Sequence, residues 1–283
     1  MTQTLSTKTY RDKYRQSTLE QALRNMLVAE KICQVDRSDV KTIQSPYGSQ
    51  PSATVQAIAG TYTVSEYNTT DDTLTVNNEV IVAEHIFDFE SSLSNFDMFS
   101  ARFDEMTYAV AAKIDRFVIN NLCEDATGAY TTPAGGFTAA NVNTILANLG
   151  GKLAGYADVY KGLFLVIENT DVAGFIEAQM TSGFSFADSA LNNGFLTSQG
   201  GFDIYVVRTG TFASETLGTT TYTNSGHRVA GVKGVSTYAS PRGIKFEEKG
   251  VSGKTGMENV VYAYVGFKLW ATKTDLVIDI TLA

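Results

Sequence analysis

Few residues in this chain have the type and spacing that catalysis or metal binding needs. Histidine occurs only as His85 and His227. Two are too few for a three-histidine zinc site, and a single imidazole in a strand-like stretch is ordinarily structural. Cys33 and Cys123 both fall in segments with helical patterning, where a free thiol is expected to be buried and inert. Gly253-Lys254-Thr255 matches the close of a phosphate-binding loop. The glycine that would open that motif is replaced by Glu248, however, and no strand-to-helix context surrounds it. Neither a G-x-S-x-G elbow nor a G-x-G-x-x-G fingerprint occurs. Asn68-Thr69-Thr70 fits a glycosylation acceptor, but without a signal peptide it reads as an ordinary hairpin tip. Asp115 and Arg116 read as partners in helix-surface ion pairs, each contributing well under ~1 kcal/mol. No catalytic residue, metal or cofactor is expected.

The composition bounds what else the chain can be. At 283 residues it is one large domain or two, with bulk enough to bury most of its apolar surface. Glycine is plentiful (24), proline scarce (4), and helical runs alternate with strand-like ones, which points to an α+β or α/β class. No apolar run approaches the ~20 residues of a membrane span, and the first sixteen residues lack the apolar core of a signal peptide. The lone, distant cysteine pair suggests a reducing compartment without a disulfide framework. The net charge of −8 is unevenly spread. Residues 1–50 carry eight Lys/Arg against five Asp/Glu, and the remainder carries fourteen against twenty-five. An acidic body does not grip nucleic-acid phosphates tightly, which argues against a dedicated DNA-binding protein but not against a wall that faces DNA.

The element that organises the chain is a long helix over residues 96–123. Phe99, Phe103, Met106, Val110, Ile114, Phe117 and Val118 recur at steps of three or four along one face. Ala101, Ala109, Ala111 and Ala112 favour the helix, no Gly or Pro interrupts it, and Ser94 or Asn95 could cap its start. Arg102, Asp104, Glu105, Lys113, Asp115, Arg116, Asn120 and Asn121 form a polar back. At ~1.5 Å per residue its roughly 24 helical residues reach about 36 Å.

Before that helix, residues 1–17 are polar, with Tyr10 and Tyr14 as the only large apolar anchors, and are expected to be extended. A short amphipathic helix follows, with Leu19, Leu23, Met26, Leu27 and Val28, ending near Ile32. Residues 44–52 read as a turn-rich linker. From residue 53 the period becomes two. Val55, Ala57, Ala59, Tyr62 and Val64 lead through a polar tip at residues 68–72 into Leu74, Val76, Val80, Val82 and Ile86, a β-hairpin. Eight acidic and no basic residues lie between 61 and 97. An isolated hairpin is marginally stable, so this one is expected to project onto a neighbouring subunit, against the basic leading segment. The candidate inter-subunit contacts are Tyr10, Arg11, Lys13, Tyr14 and Arg15 on the basic side, and Glu66, Asp71, Asp72 and Glu79 on the acidic side.

After the long helix, residues 126–136 read as a turn region. Thr138 can cap a second helix with Val142, Ile145, Leu146, Leu149 and Leu153 on one face, its last turn weakened by Gly150-Gly151. Residues 163–167 are apolar on both faces, as a central strand is. Asn169, Thr170 or Asp171 can cap a short helix containing Val172, Phe175 and Ile176. Residues 181–201 read as loop, 202–207 as a strand, and the Thr/Gly/Ser-rich residues 209–226 as an exposed loop. Residues 229–239 are ambiguous. Strands are expected over 244–249, 260–270 and 276–282, with Leu276, Ile278, Ile280 and Leu282 facing one way. An unstructured arm, a protruding hairpin and a long central helix bury themselves only against other copies of the chain.

The order of these elements resembles the major capsid proteins of tailed bacteriophages, which have the Hong Kong 97-type fold. The residues that carry the resemblance are Tyr108 to Asp115, similar to the end of that family's spine helix, the 163–167 strand, and the passage from Asn193-Gly194-Phe195 to Gly201-Phe202-Asp203-Ile204-Tyr205-Val206. The resemblance covers nearly the whole chain. It implies an α+β fold with residues 1–48 as an N-terminal arm, 49–93 as an extended E-loop hairpin and 94–158 as the start of a peripheral domain with the spine helix. Residues 159–238 would be an axial domain and 239–283 strands that return to the peripheral domain. It further implies a non-enzymatic coat protein, with no cofactor, that assembles with copies of itself into the pentamers and hexamers of an icosahedral shell around double-stranded DNA. The DNA would be contacted non-specifically, with portal, separate scaffolding and decoration proteins as further partners and no membrane. The place is the virion, after assembly in the host bacterial cytoplasm.

Two departures from that family matter. Some members join an E-loop lysine to an asparagine of a neighbour, but no lysine occurs from residue 42 to 112, so the shell is expected to lack that cross-link. The short leading segment leaves no room for a fused scaffolding domain of the usual size. An encapsulin-type compartment shell shares the fold. The runner-up from a different class is a soluble α+β enzyme using scattered carboxylates, which predicts a small closed oligomer with a pocket; another phage component, such as a tail or head-decoration protein, fits the long helix less well.

Overall fold

The computed structural model describes residues 27–48, 69–86, 98–157, 162–181, 195–212, 214, 216–218, 220–250 and 256–283, with 55, 58 and 60 as isolated positions. The polar and early helical segments of residues 1–26, the first strand of the expected hairpin and the Gly253-Lys254-Thr255 motif lie outside these residues.

The chain is α+β. Its long helix, α2 (Met98–Asp125), follows a short α1 (Ala29–Ile32). At 28 residues and ~1.5 Å each it is about 42 Å long. The 3–4 spacing works as expected: Met106, Val110, Ile114, Phe117 and Val118 are all buried. Two residues of the expected polar back are not on it. Asp115 and Asn120 are buried, because each meets a backbone or side chain far away in sequence.

The N-terminal half of α2 lies on a five-stranded sheet. Here β14 (Met257–Leu269) is the axis, flanked on one edge by β4 (Asn78–Ile86) and on the other by β12 (Ser236–Ala239) and β13 (Ile244–Gly250), with β1 (Gln34–Asp36) beyond β12. Its thirteen residues allow it to pair with β4 from Met257 to Val265 and with β12 beyond that point. Phe103 of α2 packs edge-on against Phe246 of β13 with ring centroids 5.0 Å apart, a favoured aromatic geometry.

The other half of α2 meets a six-stranded sheet ordered β5 (Gly128–Thr131), β15 (Val277–Thr281), β11 (His227–Val232), β6 (Leu163–Glu168), β8 (Phe202–Val207) and β7 (Phe195–Gln199). As its composition predicts, β6 is central: all six residues are buried, between antiparallel β11 and parallel β8. α3 (Ala139–Ala157) packs on β11 of this sheet, and α4 (Val172–Thr181) packs on α3. Thr138 holds the N-cap position, its carbonyl accepting from Asn141 and Val142 at 2.9 and 3.0 Å. Phe137 stacks on Phe175, and a Cβ at Gly174 would lie 1.8 Å from the Phe137 carbonyl oxygen, so this approach requires glycine.

Several local expectations are corrected. Of the expected 44–52 linker, residues 44–48 belong to strand β2 (Thr42–Gly48), paired antiparallel with β3 (Thr69–Thr75), and 49–52 lie outside the described residues. Residues 69–72 are therefore strand and not tip, and the chain turns at Val76-Asn77 between β3 and β4. The segment 126–136 contains β5, paired parallel to β15, and residues 195–199 form an edge strand. α3 runs through Gly150-Gly151 to Ala157. The ambiguous 229–239 resolves into β11 and β12. Leu276 closes a 3₁₀ turn (Ala271–Leu276) before β15 begins. Nor is 209–226 an exposed loop throughout: Thr211, Phe212, Leu217, Tyr222 and Asn224 are buried, around two short strands, β9 (Thr216–Leu217) and β10 (Thr220–Thr221). Its small polar residues fill backbone hydrogen bonds that composition alone reads as solvent.

Candidate functional site

Among the described residues, Cys123, His227 and Asp279 share one set of polar contacts within the fold. The thiol of Cys123, on α2, donates to Asp279 of β15, and Asp279 also faces His227 Nδ1 at 2.9 Å. The Asp279 carboxylate meets both the sulfur and the imidazole, and it disfavours the thiolate that a nucleophile needs. Burial, with the Asp279 charge second, pushes the Cys123 thiol well above its ordinary range. Cys33 ends α1 and is not inside it; its thiol is pushed up to about 12, chiefly by burial. Both stay protonated at neutral pH, consistent with inert, buried thiols. Among the described residues no group of three or more His, Cys, Asp or Glu could hold a metal, and no helix is long and apolar enough to cross a membrane.

Three polar joints fix α2 and the loops around it. The first lies at its middle. Asp115, read from the sequence as a surface ion-pair partner, is buried, and its carboxylate accepts the backbone N–H of Val28 at 3.1 Å and of Ala29 at 2.8 Å. It caps α1 across more than eighty residues. Desolvation dominates those two bonds and raises its pKa to about 7. In the second joint Asn120 donates to the Thr211 carbonyl at 2.8 Å, and Asn224 donates to the Asn120 carbonyl and Oδ1 at 3.1 and 3.0 Å. The 209–226 excursion is thereby sewn to the helix.

The third joint is a buried charge cluster. Arg228, near the start of β11, donates from Nε to Asp171 at 2.5 Å, from one terminal nitrogen to Glu168 at 3.2 Å and from the other to the His227 carbonyl at 2.6 Å. Glu168 also accepts the backbone N–H of Gly210 and Phe212 at 2.9 and 3.3 Å. Signals for these joints exist in the sequence. Glu168 ends an otherwise apolar strand, Arg228 precedes an apolar run, and Asp115 falls four residues after Ala111 and three before Val118, within the apolar stripe.

The candidate contacts are not gathered into one place. Tyr10, Arg11, Lys13, Tyr14, Arg15 and Glu66 lie outside the described residues. Asp71 is exposed on β3. Asp72 is engaged within its own chain: it pairs with Lys268 of β14 at 3.1 Å and accepts the Ala271 N–H at 2.8 Å, capping the 3₁₀ turn. Those hydrogen bonds and the Lys268 charge hold its carboxyl below the usual range, against the opposing pull of desolvation. Glu79 is exposed on β4, opposite Tyr264 of β14. Beside it the outer face of this sheet carries apolar side chains with no cover: Ile81 is 54% exposed and Tyr264 37%. Farther along the chain from β2, Val55 and Ile58 are fully exposed.

No protein-family model and no curated protein matches this sequence. Solved structures do match. A cyanophage P-SCSP1u capsid structure superposes with a TM-score of 0.68 at 14% identity, covering 91% of this chain and 88% of that one. The capsid of an empty GTA particle gives 0.65 at 13%, covering 91% and 90%. A virus-like particle from Pyrococcus furiosus gives 0.60 at 10%, covering 95% and 99%. At these identities the likeness establishes fold and not activity. The series of strands, long helix and mixed sheet described above is the Hong Kong 97-type capsid fold.

Proposed function

We propose that this chain is the major coat protein of a tailed bacteriophage. It self-assembles through non-covalent packing into the pentamers and hexamers of an icosahedral shell that encloses double-stranded DNA. The observation that carries the reading is the superposition on a phage capsid chain over about nine tenths of both lengths. The fully exposed Val55 and Ile58 support it, because apolar residues in such positions gain from a second copy of the chain. In this reading residues 1–48 are the arm, 49–93 the E-loop, 94–158 and 239–283 the peripheral domain with α2 as its spine, and 159–238 the axial domain. The basic leading residues Tyr10, Arg11, Lys13, Tyr14 and Arg15 meet Glu66, Asp71 and Glu79 of a neighbour. Asp72, already paired with Lys268 of its own chain, is the weakest member of that set.

The protein has no catalytic step to perform. Each arm and hairpin adds modest area, and closure sums many such contacts. Portal, scaffolding and decoration proteins complete the particle, which is assembled in the host cytoplasm and becomes the virion shell. Negative-stain microscopy of the expressed protein tests this: closed shells or tubes are expected, and uniform small oligomers refute it. Assembly should weaken as salt rises past the range where the ~10 Å screening length shortens; indifference to salt removes the electrostatic part of the reading. A second reading, an encapsulin-type compartment shell, is compatible with the likeness to the Pyrococcus furiosus virus-like particle. An enzyme-cargo gene beside this one, in place of portal and terminase genes, selects it.

A further inference from the structure

Three chain connections meet beside β14 and leave a hollow between them. The β1–β2 connection supplies Asp39, Val40 and Lys41, the β3–β4 turn Val76, and the β12–β13 turn Pro241 and Arg242, while Tyr264 of β14 closes one side. The hollow holds about 330 Å³, at the small end of ligand sites and enough for one aromatic or branched group. Its walls are fixed by hydrogen bonds. The Val76 N–H donates to the Lys41 carbonyl and the Ser240 N–H to the Asp36 carbonyl, each at 2.9 Å, and Asp36 Oδ1 accepts the Ser38 N–H at 2.8 Å. Apolar surface lies open in it: Val40 is 45% exposed.

Backbone strain points to the same place. Arg242, with φ +64°, is the sole non-glycine residue in the left-handed region among the described residues, and Gly243 follows at +61°. Two such residues in succession suit Asn and Gly, because a longer side chain brings its Cβ against its own backbone. The ion pair from Arg242 Nε to Asp39 at 2.8 Å does not account for an arginine here. The two side chains are 57% and 61% exposed, and a surface pair of that kind contributes little. Strained non-glycine residues gather at binding sites. Asp39 takes the Nε edge; among the described residues, no partner takes the terminal guanidinium nitrogens or the Lys41 ammonium. The lining thus carries two cations and one anion, in a chain of net charge −8; Glu79, opposite Tyr264 on β4, lies outside it. We propose that the hollow binds a carboxylate carried on a compact apolar group. The acid meets the Arg242 fork and Lys41, and the apolar part meets Val40, Val76 and Tyr264. A free organic acid and an acidic–aromatic peptide share that chemistry. The site is complete within one chain, so it stands apart from the shell reading.

Saturation-transfer NMR on the full-length subunit tests it, with phenylacetate and its neutral amide, phenylacetamide, as probes. Phenylacetate should bind with a Kd on the order of 1 mM, and the amide at least about fivefold more weakly. Arg242→Gly and Lys41→Gln should each weaken phenylacetate by about fivefold or more. A second probe is the blocked peptide Phe-Asp-Phe-Glu, the sequence of residues 87–90. Tighter binding of the peptide than of phenylacetate makes polypeptide the source of the ligand, and weaker binding makes it a free acid. Equal binding of acid and amide overturns the proposal, as does phenylacetate binding that neither variant changes, or no binding of either acid probe at ~10 mM. R242G should melt within about 2 °C of the wild type, since glycine takes this backbone without strain. A fall of more than about 5 °C, or failure of R242G to fold, would make Arg242 a brace for its turn and overturn the proposal too.

Discussion

Replacing Arg228 with methionine tests whether the buried charge cluster is a structural joint. The guanidinium side chain is 4% exposed and its acidic partners, Glu168 and Asp171, 9% and 11%. Methionine fills much of the same volume but leaves two carboxylates without their counter-charge inside the protein. Breaking a buried pair from one side costs ~3–5 kcal/mol, since the orphaned charge keeps its desolvation penalty. Loss of the guanidinium over the Phe212 ring, at 5.3 Å, adds about 0.5–1 kcal/mol. The expected loss is therefore about 4 kcal/mol, against a total of ~5–15 kcal/mol for an ordinary domain. Trp270, the sole tryptophan, donates to Thr237 at 2.9 Å and reports on the five-stranded sheet. Its fluorescence and the far-ultraviolet dichroism should follow one urea transition if unfolding is two-state.

The discriminating variant is the triple exchange R228M/E168Q/D171N. The carboxamide that replaces the Glu168 carboxylate can still accept the Gly210 and Phe212 N–H groups, and no buried charge remains in the cluster, so more than half of the lost stability should return. Such strong non-additivity is expected only of groups that act as one unit. If R228M costs under ~1 kcal/mol, or if the triple variant is worse than R228M by the full cost of the two carboxamides, the cluster is not a joint and the reasoning fails.

Gly174→Ala should destabilise by at least ~2 kcal/mol, because the new Cβ would sit 1.8 Å from the Phe137 oxygen. In Gly151→Ala, on α3 with nothing within 4 Å, stability should rise by ~0.5–1 kcal/mol; equal effects in urea melts would refute both. Neither Cys33 nor Cys123 should react with a thiol reagent at pH 8 in the native protein, and both should react after denaturation. A native thiol titrating within minutes would contradict their burial. Boiled particles on a denaturing gel should run as a single monomer band, since residues 42–112 offer no lysine; high-mass ladders would show covalent chaining after all.

How much was legible in the sequence depended on whether a residue's partner was local. The face of α2 that meets the core could be read because Met106, Val110, Ile114 and Phe117 repeat with the helix's own period. β6 could be read because a strand buried on both faces must be apolar throughout. Asp115 and Asn120 were assigned to solvent because polarity was read by residue type, while their partners, Val28, Ala29, Thr211 and Asn224, lie 86 to 104 residues away. Pairing failed for the same reason. Alternation marks a strand but not its neighbour: residues 74–86 read as one strand of a hairpin tipped at 68–72, whereas β3 pairs with β2 and β4 with β14. The fold class and its family resemblance survived these errors, since both rest on the order of elements and not on which strand touches which.

The misread residues belong together physically. Each of the three joints is a buried polar group on α2 or on the six-stranded sheet that satisfies backbone groups of a segment distant in sequence: Asp115 for α1, Asn120 for residues 209–226, Glu168 for Gly210 and Phe212. Hydrophobic burial is non-directional and would let such segments settle in several ways. A hydrogen bond to a fixed carboxylate, or with a fixed carboxamide, admits one register, and leaving it unmade inside the protein costs ~1–3 kcal/mol. Under the proposed function, a coat subunit repeated through a closed shell needs each copy to present its edges at the same angle, and apolar packing alone does not guarantee that. Polar residues set into the apolar stripe of the central helix supply the missing direction. If the proposed function holds, they are the positions at which substitution should disturb the uniformity of a shell, seen as mixed particle sizes by negative stain, before it unfolds the subunit.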